Sequence, residues 1–310
     1  MINAPGSAVA PFLAGVAALF LAACGGETAP DAAPQEDAAA PSREEMLAAV
    51  LAGDHRTEAE RARDRYRNPA ETLLFFGVEP DMTVVEVWPG GGWYTQVIAP
   101  YLKAGGGTYY AASFDPESDS ERVQAGLAAF REAYADKPEI YGEINMTALG
   151  GDAIAPDGSA DVVLTFRNVH NWIGRGSAAE YFAKFHRALK PGGVLGVVDH
   201  RADGAPDGDD ASDFVYEDGS AGYVLEADVI ALAVAAGFEL AERSEINANP
   251  KDSKNHPFGV WTLPPTRRSS AVRGEEDPDF DRSAYDAIGE SDRMTLKFVK
   301  PISVDGALLE

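Results

Sequence analysis

The chain has 310 residues, with 50 acidic against 26 basic side chains and a net charge of −24. That balance excludes a nucleic-acid binder, because an acidic surface repels phosphates. An apolar content of 45% supplies a large core, and a single cysteine excludes both an intrachain disulfide and a cysteine-built metal site.

Ala8 to Ala23 is apolar but shorter than the roughly 20 residues of a membrane span. It ends in Leu21-Ala22-Ala23-Cys24-Gly25, which resembles the lipobox of bacterial lipoproteins. Residues 1–23 therefore read as a signal peptide. Cleavage before Cys24 and a lipid on its thiol would anchor the protein in the bacterial cell envelope, facing the periplasm. Gly25 stands where an inner-membrane retention aspartate often sits, which points to the outer membrane. Residues 24–41 are rich in Ala, Pro, Glu and Asp without apolar periodicity, the composition of a disordered tether.

A folded domain is expected over 42–301, with 302–310 as a tail. Ser42 with Glu45 forms a capping-box signature, followed by Met46, Leu47, Val50 and Leu51 at helical spacing. Asp54 to Arg67 is densely charged. Asn68-Pro69-Ala70-Glu71 opens a second helix, with Asn68 as cap and Glu71 as its capping-box partner, and Gly77 closes it. Strands are then expected at Thr83–Val87, Thr108–Phe114, Glu139–Met146, Asp161–Phe166, Val194–Val198, Phe238–Ile246 and Thr295–Val299. The helices between them are marked by Val123, Leu127, Phe130 and Tyr134, by Tyr181, Phe182, Phe185 and Leu189, and by Glu226 to Gly237. This alternation implies an α/β fold with a doubly wound parallel sheet. Two segments interrupt it, Asp203 to Gly222 and Thr262 to Asp292, each a substrate cover or a surface decoration.

The most informative stretch is Val84-Val85-Glu86-Val87-Trp88-Pro89-Gly90-Gly91-Gly92-Trp93-Tyr94-Thr95. It reads as a buried strand that ends in a carboxylate and breaks into a glycine turn before a helix. In open α/β sheets, ligands bind outside the carboxyl ends of the strands. Glycines let backbone approach a ligand, and the carboxylate suits a ligand that carries an amine. The pattern resembles motif I of class I S-adenosylmethionine-dependent methyltransferases, with Glu86 as the acid and Trp88 in place of the first glycine. Leu189-Lys190-Pro191-Gly192-Gly193 and Ala235-Ala236-Gly237-Phe238 resemble that superfamily's turns before the fifth and sixth strands. More narrowly, Arg67-Asn68-Pro69-Ala70-Glu71-Thr72, Trp88 to Thr95, Phe166-Arg167-Asn168 and Val198-Asp199-His200-Arg201 resemble a group of predicted bacterial methyltransferases with exported members.

The resemblance implies a mostly parallel seven-stranded sheet with an antiparallel last strand, and S-adenosylmethionine as cofactor. It implies that Glu86, Trp88, Gly90, Gly91 and Gly92 surround the cofactor's methionine end. Ser113 or Asp115 would hold the ribose, Asn145 or Asp152 the adenine, and Asn168 would lie beside the cofactor. His170, Asp199 and His200 fall on the substrate edge. His170 is either a general base or a group that orients its loop. Neighbours on a strand point to opposite faces, so only one of Asp199 and His200 is expected in the pocket. No metal is expected, since no His-x-x-x-His or cysteine pair accompanies these residues. The activity expected is methyl transfer to a small molecule, with no nucleic-acid or protein partner. The alternative is a lipid-anchored binding protein that keeps the fold, which Trp88 favours. A nicotinamide dehydrogenase ranks below both, for want of Gly-x-Gly-x-x-Gly spacing.

Overall fold

The computed structural model describes residues 40–203 and 221–302. The signal segment, Cys24, nearly all of the tether, most of the Asp203–Gly222 loop and residues 303–310 lie outside them. Among the described residues, no helix is long and apolar enough to cross a membrane.

The strands are β1 (Thr83–Val87), β2 (Thr108–Ser113), β3 (Ile144–Ala148), β4 (Ala160–Phe166), β5 (Leu189–His200), β6 (Glu239–Ser244), a short β7 (Pro257–Val260) and β8 (Arg293–Val299). All but β7 join one seven-stranded sheet in the order β3-β2-β1-β4-β5-β8-β6. β8 runs antiparallel between β5 and β6, pairing Val197 with Leu296 and Ser244 with Thr295. The strand order reverses between β1 and β4, where a doubly wound sheet opens its ligand crevice. Val84, Val85, Val162, Val163 and Leu164 are buried, as central parallel strands covered on both faces require.

The helices are α1 (Arg43–Ala52), α2 (Glu58–Arg61), α3 (Asp64–Arg67), α4 (Pro69–Phe76), α5 (Thr95–Gly105), α6 (Glu121–Phe130), α7 (Pro138–Tyr141), α8 (Val169–Ile173), α9 (Ala178–Ala188), α10 (Glu226–Ala235) and α11 (Ser283–Ile288). One core layer joins Leu47, Leu73, Phe76, Val97, Ile98 and Phe130 to Val84, Val162 and Leu164. The other joins Phe182, Phe185, Val229 and Ala233 to Val85, Val163, Leu195 and Leu296. Each layer removes apolar side chains from water at about 1.5–3 kcal/mol per large residue.

Local chemistry sets several boundaries. The Ser42–Glu45 capping box forms as expected, and a second one, Thr57 with Glu60, starts α2 inside the charged stretch. Asn68 does not cap α4 with its side chain. It sits at φ 40°, and its Nδ2 donates to the Ile246 carbonyl at 2.7 Å, tying the helix entry to the segment after β6. The third strand begins later than the sequence suggests, at Ile144. Pro138 has no N–H to lose at the first turn of a helix, so Pro138–Tyr141 coils, and Gly142 at φ 71° ends the turn. α6 runs into a π-helical turn, Arg131–Ala135, which carries Tyr134. The Thr262–Asp292 segment returns to the sheet through α11, so that Glu290, Ser291 and Asp292 arrive beside the end of β5.

Candidate active site

The turn after β1 keeps the backbone of a glycine motif with a different side chain at its head. Trp88 has φ 46°, a left-handed conformation that bulky residues rarely adopt. Its indole packs against Phe114, Trp172 and Tyr181, with ring centroids 4.8, 5.7 and 6.3 Å away. Gly90 and Gly91 are exposed, and a Cβ on either would meet nothing within 4 Å. That open space is what a ligand cradle requires. Gly92 differs from its neighbours. It is buried at φ 76°, and a Cβ there would lie 2.2 Å from the Tyr134 ring. The tyrosine, not a ligand, demands this glycine. Tyr134 also donates to the Gly91 carbonyl at 2.8 Å, so the π-helical turn braces the loop from beneath.

Glu86 lies below this loop, 2% exposed. Its Oε2 accepts from Tyr109 Oη at 2.5 Å and from Thr95 Oγ1 at 3.0 Å. Burial pushes the carboxyl up to about 7, against the downward pull of those two hydrogen bonds. The carboxylate thus organises the strand end through Tyr109 and Thr95.

At the next strands the expected ribose and adenine groups separate. Ser113 is buried at the end of β2, whereas Asp115 is exposed and its Oδ1 accepts from the Glu117 N–H at 2.8 Å. A cleft of about 380 Å³ opens here between α6 and the ends of β2 and β3, lined by Phe114, Leu127, Met146 and Ala148 among others. Asn145 does not reach it. It stands near the amino end of β3, and its Nδ2 donates to the Tyr109 carbonyl at 3.2 Å, a cross-strand tie. Asp152 is exposed in the loop beyond β3. Asn168, after β4, spends its amide on the backbone, donating to the Val87 carbonyl at 2.9 Å and locking the ends of β1 and β4 together.

His170, Asp199 and His200 converge. Asp199 is fully buried and accepts three hydrogen bonds, from His170 Nδ1 at 2.9 Å, His170 N at 3.2 Å and His200 N at 2.7 Å. With Nδ1 donating, His170 Nε2 is the acceptor, and the Asn171 amide donates to it at 3.0 Å. The His200 ring lies 5.2 Å from that of His170, and its Nδ1 bonds Ser291 Oγ at 2.6 Å. Both strand neighbours therefore come close to His170, Asp199 by its carboxylate and His200 by its ring, although only one was expected in the pocket. Burial above all, with the charges of Arg167 and Arg293 nearby, holds His200 well below the usual imidazole range, which favours its neutral form. One ligand-type atom from each of these three residues falls within 4.8 Å of the others, a geometry a cation could use after displacing the His170–Asp199 hydrogen bond. Glu86, held by Tyr109 and Thr95, is not part of that group. Sequence reasoning missed Tyr134, Asn171 and Ser291. Tyr134 is marked only as part of a helical face, Asn171 only as the neighbour of His170, and Ser291 meets His200 across the fold.

No model of a known protein family matches the sequence, nor does any curated protein. Solved structures do match. A putative sarcosine dimethylglycine methyltransferase from Galdieria sulphuraria is 16% identical, with a TM-score of 0.51 over 78% of this chain and 88% of that one. The [4+2]-cyclase SpnF is 14% identical, with a TM-score of 0.50 over 85% and 98%. A methyltransferase from Aquifex aeolicus, named as dependent on S-adenosylmethionine, is 18% identical, with a TM-score of 0.43 over 60% and 87%. The fold is that of the class I methyltransferases. At this identity the likeness extends to the fold alone, and SpnF is a reminder that function lies in the site rather than in the fold.

Proposed function

We propose that the protein is an S-adenosylmethionine-dependent methyltransferase acting on a small molecule. The carrying observation is the open Gly90–Gly91 turn at the β1/β4 switch point, with the His170–Asp199 pair on the adjoining edge. Gly90 and Gly91 leave room for the cofactor's methionine end, and Glu86 beneath them offers a carboxylate to its amine. The neighbouring cleft, with Phe114, Leu127 and Met146, suits the apolar faces of a nucleoside base. Trp88, beside Phe114, adds an aromatic wall.

S-adenosylmethionine, when bound, supplies an electrophilic methyl group. The protein's own contribution is orientation and proton removal. Asp199 fixes the His170 tautomer, with the proton on Nδ1 and the lone pair on Nε2. An acceptor's O–H or N–H that displaces the Asn171 amide from Nε2 would pass its proton there, and buried Asp199 stabilises the resulting imidazolium. His200 stays neutral and adds no competing charge. The export reading joins this proposal on Ala8–Ala23 and Cys24, and it requires a source of cofactor outside the cytoplasm.

Calorimetry with S-adenosylmethionine and S-adenosylhomocysteine tests the cofactor, and transfer of a labelled methyl group to pooled small molecules tests the reaction. Saturable binding with transfer that falls about 10²–10⁴-fold in His170→Ala is the expected result. A folded protein that binds neither ligand overturns the reading in favour of a binding protein on the same fold.

A further inference from the structure

Three of the motifs carrying the family resemblance meet at one place that the proposed reaction does not use. Arg67 lies over the Trp93 ring, 4.6 Å from its centroid. Tyr94 donates to the Arg67 carbonyl at 3.0 Å and stacks on Phe166 at 3.5 Å. Arg167 follows Phe166 with φ 62°, a left-handed backbone that costs free energy at a non-glycine residue. Arg63 comes from the turn before α3, and Arg293 from the start of β8.

One carboxylate stands among these four guanidinium groups and pairs with three of them. Glu290, 3% exposed, accepts from Arg63 Nε at 2.7 Å and Arg67 Nε at 2.9 Å, and pairs with Arg293 Nη1 at 3.3 Å. Burial alone would raise its carboxyl, but the four arginines hold it at about 2. Arg293 completes its bonding on the Tyr66 and Ser291 carbonyls. The others do not. Arg67 is 2% exposed, yet its Nη2 is buried without a partner, and so is Arg63 Nη2. Arg167 has no side-chain hydrogen bond or ion pair among the described residues. Asp199, the other acid close to Arg167, is already committed to His170 and the His200 N–H. Arg67 is buried, and Arg63 and Arg167 are partly buried beside it. Guanidinium groups in excess of carboxylates in such a place, with donors unmet on Arg63 and Arg67, are costly unless an anion completes them.

We propose that Arg63, Arg67 and Arg167 form a binding site for an oxyanion, a carboxylate or phosphate, carried by the methyl acceptor. The acceptor assignment rests on the methyltransferase reading. Two sources share this chemistry, the acceptor and the carboxylate of the cofactor's methionine tail. Position favours the acceptor. The cluster spans the end of β4 and the start of β8, where Arg293 pairs in register with His200, on the far side of β4 from the β2–β3 cleft. The fork of a guanidinium matches the two oxygens of such a group. An anionic handle held here would set the rest of the acceptor beside His170.

The test uses the full chain, with inorganic phosphate, S-adenosylhomocysteine and methylthioadenosine as probes. The last keeps the nucleoside and lacks the carboxylate. Arg167→Met is the variant of choice because it breaks no ion pair, and Arg167→Lys is its charge-keeping control. Phosphate is expected to raise the melting temperature of the wild type. Its dissociation constant should weaken at least about tenfold in Arg167→Met and less in Arg167→Lys, with adenosylhomocysteine binding unchanged. No effect of phosphate on a well-folded wild type overturns the site. Competition between phosphate and adenosylhomocysteine, or loss of adenosylhomocysteine but not methylthioadenosine binding in Arg167→Met, overturns the acceptor assignment in favour of the cofactor tail. Phosphate binding without binding of either nucleoside leaves the anion site standing while the methyltransferase reading, and the acceptor with it, falls.

Discussion

At the β1 end of the sheet edge, Glu86 is buried with its two hydroxyl donors, and the glycine turn above it is braced by Tyr134. At the β8 end, Glu290 is buried among four arginines, two of which keep unpartnered nitrogens. Both regions bury a carboxylate, and they shift it in opposite directions, Glu86 up to about 7 and Glu290 down to about 2. Burial acts alike on both. What differs is the company: neutral hydroxyls cannot offset the loss of water, whereas guanidinium charges overcome it. The first region is a finished platform, and the second has positive charge to spare for a ligand.

This contrast can be broken most severely at Glu290. Glu290→Ala leaves buried arginines without their counterion and is expected to cost about 3–5 kcal/mol in urea denaturation, with part of the loss restored by added phosphate. A smaller loss without phosphate dependence would show that the cluster is already compensated. In the first region, Gly92→Ala should lose about 3 kcal/mol, from a left-handed backbone and a clash with Tyr134. Adding Tyr134→Ala should relieve the clash, so the two losses should sum to less than their parts. If instead Gly92→Ala folds normally and only ligand binding suffers, the glycine serves the ligand after all.

The Glu86 carboxyl gives a pH signature. Unfolded, it ionises near its ordinary value of 4.5; folded, near 7. Between those values the folded state holds the extra proton, so stability falls as pH rises from about 4.5 to about 7, by on the order of 2–3 kcal/mol in all. Glu86→Gln should remove that slope and be the more stable protein above pH 7. Melting curves at pH 5 and pH 8 check the sign. Glu290 works oppositely, adding stability above pH 4.5 that is lost as pH falls towards 2. The mildest change is Tyr134→Phe, which deletes the bond to the Gly91 carbonyl and should cost about 1 kcal/mol, with greater amide-exchange rates in the glycine turn.

The platform was largely legible in the sequence. Val84-Val85 before Glu86 and Val162 to Leu164 are apolar runs, Gly77 and the Gly90–Gly92 turn punctuate the chain, and together they mark two central strands and the turn after the first. The identity of what fills the space beside Gly92 was not legible: the spacing of Leu127, Phe130 and Tyr134 marks a buried helical face, which Tyr134 joins through a π-helical turn, but nothing local shows that its ring meets Gly92. Asn68 carried every sign of a helix cap, but a tertiary partner, the Ile246 carbonyl, took its side chain. The arginine cluster was hidden for a simpler reason. Arg67 and Arg167 stood within quoted motifs without a partner in sight, because Glu290 lies 223 residues from Arg67 in a segment whose composition looks like decoration.

The antiparallel strand has a consequence for assembly. β8 follows β5 and β6 in the chain, yet it slots between them. Until it does, β5 and β6 present unpaired edges to one another, and the Glu290 counterion and Ser291, the partner of His200, are absent. The binding edge therefore cannot mature progressively as the chain emerges. It is completed in one late step, by contacts of long sequence separation that pay their loop-closure entropy before any reward. A chain cut before Glu290 would hold every glycine and both histidines of the site, and would still carry its arginines bare.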